Sequence, residues 1–533
     1  MTTSRRDFIG SVAAAGCVSA VSATTEASSI DVGRQLFVDD VLTESNTLPR
    51  TFHKPTIHPA SPLLKPETPL ETGNGVIPAA SPFSDGVWYD PKDKLYKLWY
   101  IAGYDDGFAL ATSTDGLHWE RTNLDVVPGT NRVMKPRVPP PGQPGFIRNG
   151  STVWLDHESK DPGQRFKMFA FFRRGDNQKR ARVPRPIPPD WDQPMTYTSP
   201  DGIHWSEGIR TGKCGDNSGM FYNPFRKMWV YNVRTFHRPY NRVRSIREHP
   251  DFLQGASWTE KDVKLWLHAD ELDVPDPELQ FRPELYKVDA VAYESRMLGM
   301  LAFLMGPSTG DAAAAGTPRI NDIQLAYSVD GIKFERPDRT PFLACSRKEG
   351  TWNRGYLHSA GGCCLVVGDQ LRFYYGGFTG ISPKQGKNLY AGSSTGMAVL
   401  RRDGFASLTS AGTAGSMTTK PVLFRGKHLF VNADIKQGGE LRVEVLNEQG
   451  RVIAPFSSEA CLPVRADGTK QAINWKGAGD VSKLTGKPVK FRFHLKGGDF
   501  YSWWVSPDRS GASYGYVAAG GPGFTGSVDT TGA

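Results

Sequence analysis

The chain has 533 residues, of which 39% are hydrophobic and 11% aromatic, with Gly 57 and Pro 39. This is enough apolar material for two or three domains, and too much glycine and proline for a helical protein. The formal net charge is +9, and no apolar run of about 18 residues occurs, so the sequence holds no membrane-spanning helix.

The first residues read Ser4-Arg5-Arg6-Asp7-Phe8-Ile9-Gly10, followed by a weakly apolar Ala-, Val- and Gly-rich stretch. This pattern predicts a twin-arginine export signal over 1–28, cleaved between Ala20 and Ala27. Cys17 follows Ala14-Ala15-Gly16, and Ala14 in place of a large apolar residue argues against a lipoprotein. Outside the signal stand Cys214, Cys345, Cys363, Cys364 and Cys461. Their odd number and irregular spacing predict buried thiols rather than a disulfide framework or a zinc site. A basic protein outside the cytoplasm meets anionic ligands, such as sulfated or uronic polysaccharides, before it meets nucleic acid.

One turn recurs along the chain. Ser113-Thr114-Asp115-Gly116-Leu117-His118-Trp119 returns as Ser199-Pro200-Asp201-Gly202-Ile203-His204-Trp205 and as Ser328-Val329-Asp330-Gly331-Ile332-Lys333-Phe334. Asp-Gly between apolar strands is a hairpin signal, because Gly accepts positive φ and Asp caps its own turn. A degenerate copy runs from Pro250-Asp251-Phe252 to Trp258. Around these turns lie five units that each begin on a polar residue and run through an apolar and then an aromatic strand. They begin at Asp85, Asn149, Asp216, Asp289 and His358. Helical periodicity is almost absent, so the fold class is all-β: a five-bladed β-propeller over 30–412. After a Gly/Ser/Thr-rich linker, alternating strands predict a β-sandwich over 417–518. A flexible tail is expected over 519–533.

In a propeller the innermost strands start together at one end of the channel. The five unit starts should therefore meet as a polar ring, joined by Glu284 and Arg354 from just upstream. Two carboxyl groups on opposite sides of a glycosidic bond suffice for its hydrolysis. The expected base or nucleophile is Asp85, and the acid is Asp216 or Asp289 with its pKa raised by burial or a neighbouring carboxylate. Asn149 and His358 would hold sugar hydroxyls. The same Asp and Asn residues also suit a ligand-binding or strand-capping role. Asp39 and Asp40 are expected to cap a closing strand. Two basic segments, one with Arg173, Arg174, Lys179, Arg180, Arg182 and Arg185, the other with Arg234, His237, Arg238, Arg242, Arg244 and Arg247, suit sulfate or carboxylate as well as plain solvation. Of these, Arg182, Arg234 and Arg238 are the expected substrate contacts. Trp191, Tyr197 and Tyr240 are candidate sugar platforms, whereas Trp88, Trp99, Trp154 and Trp229 fall at strand positions and belong to the core.

With these units in place the chain resembles the five-bladed propeller glycosidases of the family 32 and 43 superfamily. The resemblance covers about residues 30–412 and rests on Leu36-Phe37-Val38-Asp39-Asp40, the unit starts and the three Asp-Gly turns. It implies a nucleophile or base, a helper Asp and an acid on the first three blades, which land on Asp85, Asn149 and Asp216. Asn149 stands where the family has Asp, and Asp216 where it usually has Glu. The expected function is an exported glycoside hydrolase acting on an anionic poly- or oligosaccharide. Its rivals are a non-catalytic carbohydrate-binding propeller and a surface scaffold that binds through its C-terminal part. The only expected partner is the carbohydrate, with no nucleic acid and no membrane span, and the protein is expected to be a monomer. No cofactor or catalytic metal is required; a structural Ca²⁺ ion is compatible with the pattern.

Overall fold

A computed structural model describes residues 27–104, 107–138, 141, 145–174 and 192–533. Residues 1–26 of the expected export signal, and Arg182 and Trp191, lie outside the described residues. The described chain is almost entirely strand and loop, as the missing helical periodicity requires. None of its helices is long and apolar enough to cross a membrane.

Five antiparallel strand groups follow one another through the described chain. The first comprises Ala79–Asp90, Leu95–Ala102 and Phe108–Ser113. The second comprises Phe146–Leu155, Phe166–Arg174, Asp192–Ser199 and Ile209–Arg210. The third holds Gly219–Asn223, Met228–His237, Asn241–His249 and Lys264–Leu267. The fourth holds Glu284–Glu294, Arg296–Gly306 and Ile320–Ser328. The fifth holds Gly355–Ser359, Leu365–Val367, Gln370–Phe378 and Ser393–Arg401, with Thr56–Ile57 added from near the start of the chain. The first strand of group one runs parallel to that of group two, Ser84 beside Ser151, and meets group five through Ala79 beside Ser393.

The three Asp-Gly turns fasten groups one, two and four to groups five, one and three. In each turn the Ser hydroxyl accepts the Gly N–H, and the Asp carboxylate accepts the next two backbone N–H groups. Tyr374 of group five donates its hydroxyl to Gly116 O at 2.7 Å. Trp99 of group one donates Nε1–H to Gly202 O at 2.8 Å. Asn223 of group three donates to Asp330 O at 2.7 Å. Gly202 has φ +80°, and a Cβ there would stand 2.5 Å from the Trp99 ring. Gly202→Ala therefore combines left-handed strain with a clash against a fully buried indole. We expect a loss of at least about 1–2 kcal/mol, read as a lowered urea midpoint. The degenerate copy makes no such turn; Asp251 instead caps the short helix Phe252–Gly255.

Trp88, Trp99, Trp154 and Trp229 are buried in one apolar core that runs through the five groups. Trp88 meets Trp154 edge-on at 4.7 Å, and Trp154 meets Trp229 at 6.2 Å. All five described cysteines are free and buried.

A second, eight-stranded sheet has its own core. Its long strands His428–Leu446 and Lys490–Ser506 pair along most of their length. Residues 35–52 were expected to open the propeller. Instead Gln35–Leu36, Thr43–Asn46 and Arg50–Phe52 join this second sheet, through Lys490–Ser506, Gly415–Thr419 and Ala406–Ser410. Asp39 and Asp40 bind Arg296 and Arg50, so Asp39 ties the second sheet to group four. The expected flexible tail over 519–533 is also corrected. Tyr516–Val517 extends group four, Ala519 N–H donates to Cys364 O at 3.0 Å, and Phe524 and Asp529 are buried. Small residues made this segment look loose, yet they let its backbone lie close against strand ends.

Candidate active site

The first strands of groups one, four and five break register, and the breaks aim the site residues. On Ala79–Asp90 the ladder skips from Ser81 to Gly86, with Ser84 at φ 66°. On Glu284–Glu294, Tyr286 is the extra residue of a bulge between Leu285 and Lys287. On Gly355–Ser359 the shift lies between Gly355 and His358, with Tyr356 at φ 55°. A bulge re-aims a side chain that strict alternation would send to the other face.

Asp216 and Glu284 come together at the starts of groups three and four, their side chains 19% and 18% exposed. Arg242 reaches both, with Nη1 3.6 Å from Asp216 and Nε 3.7 Å from Glu284. One guanidinium touching both places the two carboxyl groups within roughly 10 Å, the span over which paired carboxyls act on a glycosidic bond. Arg234 Nη1 donates to Asp216 Oδ1 at 2.6 Å, and Arg173 Nη1 stands 3.8 Å from Oδ2. Burial works against the Asp216 anion, but Arg234, Arg242, Arg173 and Arg319 outweigh it and hold this carboxyl well below the usual carboxylate range. The direction is opposite to the expected raised pKa: the surrounding arginines favour the Asp216 anion over its protonated form.

Beside this pair, the Tyr286 and Tyr356 hydroxyls share a 2.7 Å hydrogen bond. Arg319 Nη2 donates to both at 2.9 Å, and Asn217 Nδ2 donates to Tyr286 at 3.2 Å. Burial would raise Tyr286, but Arg319 and Arg242 pull it below its ordinary value.

Asp85 and Asp289 do not reach this part-buried layer. Asp85 is fully buried; Oδ1 takes Arg148 Nη1 and the Ser151 hydroxyl, and Oδ2 takes the Phe83 N–H at 3.0 Å and Arg148 Nη2 at 3.4 Å. No lone pair is left for a substrate. Asp289 is buried as well, one oxygen accepting from Ser84 and the other from Ser359. His358 is buried among Phe83, Tyr286, Tyr356 and Phe378, too deep to meet a sugar.

The remaining predicted contacts divide. Asn149 is part-buried, and its carbonyl accepts the Asn217 N–H, joining groups two and three at the level of Asp216. Arg354 turns toward the loop beside group five, donating to Thr379 O at 3.4 Å and lying 3.8 Å from Glu349. That loop borders a cleft of about 690 Å³ lined by Pro62, Lys65, Trp352, Asn353 and Ile381, among others. Arg238 is exposed at the hairpin tip between His237 and Asn241, away from Asp216. Tyr197 is buried, and Tyr240 stacks on His268 at 3.8 Å. Among the described residues, no group of three or more His, Cys, Asp or Glu gathers that could hold a metal ion.

Sequence reasoning passed over Tyr286, Tyr356, Arg319 and Lys287. Tyr286 and Tyr356 sit at register breaks, which strict alternation does not announce; Arg319 precedes the third strand of group four and carries no sequence sign.

No family model matches this chain, and no curated protein does. Solved structures of carbohydrate-active proteins are similar to it. A glycosyl hydrolase from Bacteroides ovatus is 13% identical over 66% of this chain and 94% of that one, with a TM-score of 0.41. An N-acetylgalactosamine deacetylase from F. plautii, in complex with blood group B trisaccharide, is 14% identical over 64% of this chain and 97% of that one, at 0.39. A β-1,2-mannobiose phosphorylase from Listeria innocua is 12% identical over 65% of this chain and 96% of that one, at 0.39. Likeness this distant transfers no activity to this chain.

Proposed function

We propose that this protein is an exported glycoside hydrolase that cleaves an acidic poly- or oligosaccharide. In this reading the five strand groups are the blades of a propeller, and the second sheet is an accessory sandwich. The observation that carries the reading is the pair Asp216 and Glu284, part-buried on neighbouring groups and bridged by Arg242. Asp216, favoured as an anion, is the base or nucleophile, which leaves Glu284 as the proton donor to the leaving oxygen. Arg173, Arg234, Arg242 and Arg319 outnumber the acids around them, so an incoming carboxylate or sulfate finds charge-assisted donors beside the scissile bond.

The test is release of reducing ends from uronic, sulfated and neutral glycans. Turnover on acidic glycans, lost in Glu284→Gln, is the expected result. Turnover that survives both Glu284→Gln and Asp216→Asn would sink the assignment. Saturable binding with no turnover on any glycan would favour the carbohydrate-binding reading, which the tightness of the arginine cage around Asp216 also suits.

A further inference from the structure

Below the tyrosine pair the channel holds more positive charge than its acids balance. Arg244, Lys287 and His358 come from groups three, four and five and are at most 2% exposed. Arg244 Nη1 donates to Asn217 O at 2.7 Å, while Nε and Nη2 are buried and hydrogen-bonded to no described residue. Lys287 Nζ also lacks a hydrogen-bond partner and sits 4.6 Å from the centre of the Phe83 ring. His358 also packs on Phe83, its ring 4.0 Å away and tilted, with both ring nitrogens lacking a hydrogen-bond partner among the described residues. Lys287 lies near enough to both Arg244 and His358 for their charges to interact.

The acids at this depth are already engaged. Asp85 is paired with Arg148, and Asp289 accepts from Ser84 and Ser359. No carboxylate lies within ion-pairing distance of Arg244 or Lys287 among the described residues. A buried guanidinium with two idle donors and a buried ammonium with none engaged are both unfavourable unless a counter-charge meets them. Burial, Asp289 and Asp85, and then Arg244 and Arg148 set the Lys287 ammonium, with a net drop to about 8. Burial with Arg242 and Arg234 brings Arg244 down to about 9. Burial is the first cause of both shifts, so each cation would gain from a further counter-charge.

We infer that the channel binds one small monovalent anion of the halide class, held by Arg244, Lys287 and an N–H of neutral His358. The ligand is a small ion rather than an acidic group of a glycan, because Arg244, Lys287 and His358 are at most 2% exposed and Tyr286 packs both on Arg242 of the outer pair and on His358. The inference is independent of the proposed hydrolase activity.

The full-length mature protein is to be melted in sodium bromide, sodium chloride and sodium gluconate at one ionic strength, and crystals grown in bromide measured at the bromine absorption edge. The expected results are a Tm that rises saturably with either halide but not with gluconate, and an anomalous peak among Arg244, Lys287 and His358. Lys287→Met should lose the halide-dependent part of the shift. The same Tm in all three salts, or crystals with no bromide peak in the channel, would overturn the inference even if Lys287→Met does not fold.

Discussion

Glu284→Gln is expected to fold like the parent and to lose turnover by about 10²–10⁴-fold, the usual contribution of a positioned proton donor. The side chain keeps its shape, it is 18% exposed, and its only described ionic contact is Arg242 at 3.7 Å. Little stability rests on it. Asp216→Asn should abolish turnover too, but it will also destabilise the protein. The change removes the carboxylate that Arg234, Arg242 and Arg173 surround. The loss should fall between the ~1 kcal/mol of an exposed ion pair and the ~3–5 kcal/mol of a buried one broken on one side. Comparing kcat and urea midpoint for the two variants separates chemistry from architecture. Glu284→Gln should move only kcat, and Asp216→Asn should move both. Equal destabilisation by the two would mean that Glu284 is structural.

The second large effect lies at the junction of the two sheet systems. Arg34 is fully buried, with Nη1 3.0 Å from Asp403 Oδ2 and 2.9 Å from Thr469 O, and Nε 3.4 Å from Glu294. Its guanidinium lies 4.1 Å from the centre of the Trp504 ring. Asp403 also accepts from Tyr293, Ser502 and Asn432, and Arg402 lies near Glu294 and Asp529. This single network joins the chain start, group four, the second sheet and the C-terminal segment. Arg34→Met leaves two buried carboxylates short of a cation and should cost about 3–5 kcal/mol. A protein this large need not unfold in one step, so the expected calorimetric result is a lower first transition, separated from a second. A single unshifted transition would show that the junction does not depend on this ion network.

The same network sets an acid limit. Burial opposes the Asp403 anion, but Arg34 and Arg402 push its carboxyl down to about 2. Its folded-state pKa lies below the unfolded one, so its contribution is present above about pH 4 and is lost as pH falls toward 2. Arg34→Met should therefore show a weaker loss of Tm between pH 4 and pH 2 than the parent does.

What the sequence determined by itself was local. The three Asp-Gly turns were legible because Gly116, Gly202 and Gly331 need positive φ and the preceding Asp caps the turn. The buried fate of Trp88, Trp99, Trp154 and Trp229 followed from their strand positions. Of the polar group starts expected to meet, Asp216 and Glu284 come together around Arg242, whereas Asp85, Asp289 and His358 lie buried elsewhere. Depth was decided only by the tertiary structure. Asp85 and Asp216 look alike as polar starts of aromatic-rich units, yet one is a sealed anchor and the other stands part-buried among arginines. Asp85 lies inside the irregular stretch between Ser81 and Gly86, where it meets Arg148, Ser151 and the Phe83 N–H, whereas Asp216 precedes the first strand of group three; alternation along the chain announces neither position. The second sheet's claim on residues 35–52, and the docking of 516–533 under group four, were likewise decided by pairing across hundreds of residues. Short strands of small and polar residues carry no mark of the partner they will find, since the partner's exposed backbone edge, not their own pattern, selects them.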